Sequence, residues 1–150
     1  MEENKIDFLC ESYKSNASQY EYDLKNDSIL NLSYIGDAIF DFLSRDYVLK
    51  KYSKILKINE INEKNVFFVK ASNQAYIVDI LINDNFLTDD EIMVYKRGRN
   101  VHTKKRIKSA SMIDYRKATG FESIIGFLYY NKNFMRLLEI ANKYFDILDK

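Results

Sequence analysis

The chain has 150 residues, 47% hydrophobic and 30% charged, a balance that fits one globular domain spanning 1–150 and excludes a disordered or low-complexity polymer. One cysteine, Cys10, excludes an internal disulfide and a multi-cysteine zinc site, and no stretch reaches the roughly 20 apolar residues of a membrane helix. A net charge of +1 excludes a chain that is basic throughout, so any polyanionic partner must be held by a local patch.

The absence of proline and the presence of only four glycines favour long helices joined by short polar turns. The start, MEENKIDFLC, lacks the basic-then-apolar run of a secretory signal, and a cytoplasmic protein without membrane contact is expected. Residues 1–27 carry seven acids and three lysines and are assigned to no element. The first helix is expected to begin near Asp27 or Ser28, either of which can cap free amide protons, and to run through ILNLSYIGDAIFDFLSRDYVLKKY. Ile35, Ile39, Phe42 and Leu43 recur at helical spacing as its apolar stripe. A second helix is expected over 61–82, burying Phe68, Val69, Tyr76, Ile77, Ile80 and Leu81. Thr88 with Glu91 forms a capping box opening a third helix, which stops before Gly98. A short helix over 111–117, another from about Thr119 through GFESIIGFLYY, and a last one over 133–148 complete an all-α bundle.

Two acids stand in apolar helical surroundings. Asp37 lies in YIGDAIFDF, with Asp41 one turn later on the same face, and Glu122 lies in ATGFESIIGF. Carboxylates resist burial, and a glycine near each (Gly36, Gly126) lets another helix approach closely. The pattern points to two carboxylates meeting at a helix crossing, where oxygen ligands suit magnesium or manganese. An acid in a helix is more often exposed or paired with Arg or Lys, so spacing alone does not establish a metal site.

The window 96–117 carries nine bases against the single acid Asp114. Within it, Arg97, Arg99, Lys104, Lys105, Lys108 and Arg116 are candidate phosphate contacts, with guanidinium groups suited to two-point grip. Few aromatics accompany them, which favours duplex over single-stranded nucleic acid. His102, the sole histidine, cannot build a histidine-clustered metal centre and reads as a loop surface residue. Nucleotide-binding glycine motifs are missing.

Taken together these segments carry a resemblance. LNLSYIGDAIFDF resembles the signature helix of the ribonuclease III catalytic domain, and ATGFESIIGFLYY resembles that domain's second acidic helix. KRGRN followed by YRKATGFE is similar to the Mini-ribonuclease III subfamily in particular, and the likeness spans 28–148. It implies a ribonuclease III-like helical fold and a homodimer with a positively charged valley for double-stranded RNA. By the same resemblance Asp37 matches the catalytic aspartate and Glu122 the metal-binding glutamate, with magnesium as the ion. No room is expected for an appended double-stranded-RNA-binding domain, which fits a family role in trimming the large-subunit ribosomal RNA precursor. Full-length relatives carry further acids where this chain has Leu30, Ser33 and Thr119, which leaves the number of bound ions open. Also open are the need for a ribosomal protein to present the substrate and a rival reading, a non-catalytic RNA-binding or ribosome-assembly protein on the same fold.

Overall fold

The computed structural model describes residues 20–101 and 110–150. Among the described residues there are six α-helices and no strand: α1 (Ile29–Tyr52), α2 (Ile58–Val69), α3 (Ala71–Asn83), α4 (Asp89–Arg99), α5 (Ala110–Tyr130) and α6 (Phe134–Leu148). Cys10, His102, Lys104, Lys105 and Lys108 lie outside the described residues.

Ser28 caps α1, its hydroxyl accepting from the Leu30 amide at 3.3 Å. The buried face of this helix is not the expected stripe. It runs through Ile29, Leu32, Ser33, Gly36, Phe40, Ser44 and Val48, whereas Phe42 is 46% exposed and Ile39 and Leu43 only flank the core. Small residues line this face because α1 lies against the backbone of α5, which bulky side chains would hold away. Hydrophobicity alone therefore selected the wrong rotation.

The expected helix over 61–82 is two helices, broken at Lys70, whose backbone is extended (φ −64°, ψ 148°). Neither proline nor glycine marks the break. Side-chain amides sustain it: Asn73 Nδ2 donates to the Phe67 carbonyl at 2.6 Å and Gln74 Nε2 to the Val69 carbonyl at 3.1 Å. Both satisfy acceptors left over at the end of α2. The turn also rotates α3, so Tyr76, expected inside, is 58% exposed while Ile77, Val78 and Leu81 are buried.

Thr88 and Glu91 form the expected capping box, and Glu91, only 2% exposed, is held by the Arg136 guanidinium at 2.9 Å. Helix α4 does not stop before Gly98 but continues to Arg99. Similarly, 110–130 is one continuous helix rather than two, with Gly120 buried inside it. Both glycines are contact points: a Cβ on Gly98 would stand 3.0 Å from the Gly120 Cα, and one on Gly120 would stand 2.6 Å from the Tyr95 ring. Close packing, not chain reversal, is their function here.

Helix α5 is the centre of the molecule, packed against α1, α3 and α4, with α6 closing the far side. Phe40, Phe121, Tyr144 and Phe145 form an aromatic core, Phe40 and Phe121 meeting edge to face at 5.1 Å between centroids. No helix among the described residues is long and apolar enough to cross a membrane.

Candidate active site

The crossing of α1 and α5 builds the site. A Cβ on Gly36 would lie 1.8 Å from the Glu122 carbonyl oxygen, and one on Gly126 would lie 2.0 Å from that of Leu32. The two helices therefore touch backbone to backbone at two places one turn apart. They run in opposite senses, since 36 faces 122 while 32 faces 126. Only glycine permits so close an approach.

Asp37, adjacent to Gly36, is exposed at the rim, and Glu122 sits deeper. The crossing brings the Asp37 carboxylate near enough for its charge to act on Glu122. Burial, then the neighbouring Asp37 carboxylate, push the Glu122 carboxyl up to about 8, against hydrogen bonds from Ser33 and Gln74 that favour its ionised form. The Ser33 hydroxyl donates to Glu122 Oε2 at 3.1 Å. Among the described residues, no Lys or Arg forms an ion pair with Glu122. Two converging carboxylates without a positive partner suit a divalent ion with oxygen preference. Among the described residues, no group of three or more His, Cys, Asp or Glu side chains converges. The remaining ligand positions of such an ion would fall to water or to the substrate.

Asp41 does not join the pair. It is bound to Arg45 at 2.8 Å and to the buried Asn65 amide at 2.9 Å, a structural role. Thr119 is turned away as well, its hydroxyl donating to the Tyr115 carbonyl at 3.0 Å.

Of the basic residues, Arg99 and Arg116 are brought together and Arg97 is not. Arg99, Asn100, Ile113, Arg116 and Lys117 line one cavity of about 180 Å³. There Arg116 Nε is buried without a hydrogen-bond partner, while Lys117 is neutralised by Asp79 at 2.6 Å. Arg97 is exposed on the side of Tyr22, whose hydroxyl its charge reaches. The basic last turn of α4 abuts α5 beside Glu122, since Gly98 packs on Ser123.

Sequence reasoning missed Gln74 altogether and passed over Ser33 as a site residue. The available signal was a small hydroxyl four residues before Asp37. For Gln74, on a third helix, the sequence carried none.

The ribonuclease III domain family matches residues 30–133. A Mini-ribonuclease 3 from Clostridium tetani is 42% identical over 118 residues, covering 79% of this chain and 76% of its own. One from Staphylococcus aureus is 37% identical, covering 81% and 89%. A crystal structure of a Fusobacterium nucleatum protein superposes with a TM-score of 0.68 at 30% identity, covering 81% of this chain and 94% of that one. An all-helical domain with these matches is an endoribonuclease of the ribonuclease III type. The chain belongs to the Mini-ribonuclease III family.

Proposed function

We propose that this endoribonuclease hydrolyses double-stranded RNA at the Asp37–Glu122 pair, with magnesium or manganese bound there, and that its substrate is the large-subunit ribosomal RNA precursor. The observation that carries this reading is the approach of two carboxylates, the deeper one in no ion pair among the described residues, at a crossing that two glycines make possible. A divalent ion bound between them would supply Lewis-acid activation of the phosphodiester and of the attacking water. The chain's own contribution is to fix that geometry. Gly36 and Gly126 set the helix separation, Ser33 holds one oxygen of Glu122, and Asp37 faces outward where a phosphate can reach it.

Arg97, Arg99 and Arg116, with Lys104, Lys105 and Lys108, would grip backbone phosphates, fixing position rather than reading bases. Recognition of an A-form duplex then rests on shape and 2′-hydroxyls. The chain is proposed to act as a twofold homodimer with one site per subunit, so that the two sites cut opposite strands. Supporting this, α1 carries an exposed apolar row beside Asp37: Leu30, Tyr34 and Phe42 are 42%, 83% and 46% exposed at four- and eight-residue spacing.

The test is cleavage of a ribosomal precursor duplex by wild type and Asp37→Asn, with and without magnesium, with duplex DNA as a control and a ribosomal protein added in one arm. Wild type is expected to cut the RNA only when the ion is present. Undiminished cleavage by folded Asp37→Asn would overturn the assignment.

A further inference from the structure

Two neutral side chains converge on the deeper carboxylate from opposite helices. Ser33, on α1, donates its hydroxyl to Glu122 Oε2 at 3.1 Å and is only 8% exposed. Gln74, on α3 and 1% exposed, is near enough for its amide to favour the ionised form of the same carboxylate. The orientation of that amide is fixed by the chain itself. The break at Lys70 leaves the Val69 carbonyl free of helical pairing, and Gln74 Nε2 donates to it at 3.1 Å. An amide nitrogen has two protons. With one committed to Val69, the other is available to Glu122, and Oε1 must turn away. Accordingly Oε1 is buried without a hydrogen-bond partner. A buried acceptor left unpaired opposes folding, so a position serving packing alone would be better filled by an apolar residue.

We propose that Ser33 and Gln74 are positioning residues that hold the Glu122 carboxylate turned toward Asp37, with the α2–α3 break serving to lock Gln74. This rests on the reading of Asp37 and Glu122 as the cation-holding pair. Neither residue touches the reacting phosphate; both act through Glu122. The hydroxyl and the amide do for this carboxylate what outer hydrogen bonds do for metal ligands generally: they restrict its rotation before the ion arrives.

Ser33→Ala and Gln74→Met remove the two donors at nearly constant volume, and Ser33→Thr restores a hydroxyl. The full chain is studied in two ways: the rise of Tm on titration with magnesium chloride alone, and kcat and KM on a duplex RNA. For Ser33→Ala and Gln74→Met, the magnesium concentration giving half the Tm rise is expected to increase about 10-fold or more, kcat to fall by a similar factor, and KM to stay within about twofold. Ser33→Thr should follow wild type. Unchanged magnesium midpoints and kcat in both variants would overturn the proposal, as would a Ser33→Thr chain as impaired as Ser33→Ala. If Gln74→Met does not fold, the two Ser33 variants decide. Asp37→Asn and Glu122→Gln test the underlying reading separately. Retained magnesium response and cleavage in those two would place the ion elsewhere. Their loss, with Ser33→Ala and Gln74→Met unaffected, would remove only the positioning role.

Discussion

Replacing Gly126 by alanine would drive one methyl group into the backbone of α1. The new Cβ would stand 2.0 Å from the Leu32 carbonyl oxygen and 2.7 Å from its carbon, where ordinary contact begins at 3.4 Å. Neither partner is a flexible side chain, so the helices must part by about 1.4 Å at that point, the difference between 3.4 and 2.0 Å. Overpacking of this kind costs about 1–3 kcal/mol, and a domain of this size loses roughly 2–4 °C of Tm per kcal/mol. The larger consequence falls on the site. Glu122 lies one turn before Gly126, on the strip that meets α1, and is carried with it. A displacement of about 1 Å at reacting groups lowers rate on the order of 100-fold. Thermal unfolding without RNA and single-turnover cleavage well below Tm measure the two effects independently. Gly98→Ala is the control, because its Cβ would meet the Ser123 side chain at 2.4 Å and no other residue's carbonyl among its nearest contacts. It should cost stability with a smaller loss of rate. A Gly126→Ala chain with unchanged Tm and full cleavage rate would refute the argument that backbone contact sets the distance between the carboxylates.

Other perturbations have equally definite outcomes. Glu122 is held near 8 in the folded chain against 4.5 for the free carboxyl, so its ionisation opposes folding. Stability of the cation-free protein should be greatest below about pH 4.5 as far as this group is concerned, and be lost as pH rises through about 8. The change is on the order of a few kcal/mol. Glu122→Gln should flatten that slope in denaturant titrations while abolishing cleavage, and a slope unaltered by the substitution would contradict it. Arg136→Met leaves Glu91 buried without its cation and should destabilise by about 3–5 kcal/mol in urea unfolding. Arg99→Ala and Arg116→Ala should each weaken duplex RNA binding and reduce its salt dependence by about one unit of slope, measured by fluorescence anisotropy across salt. Lys117→Ala should do so less, because Asp79 already neutralises that charge.

The sequence by itself determined the helical class, the start of the first helix to within Asp27 or Ser28, the Thr88–Glu91 box and the final helix, since these rest on local capping and periodicity. It also singled out Asp37 and Glu122 as candidates, because a carboxylate among apolar neighbours shows in the chain itself, although only Glu122 is drawn inward and Asp37 is exposed. The rotation of α1, the break at Lys70 and the continuity of the helices through Gly98 and Gly120 were decided only in three dimensions. Glycine in a sequence reads as an end of helix, yet here each one lies where a second helix comes too near for a side chain. Likewise Gln74 gains its place beside Glu122 only when α3 folds across α5. Local rules fix which segments become helices. Only the contact between helices fixes which face each turns inward and which distant side chains meet.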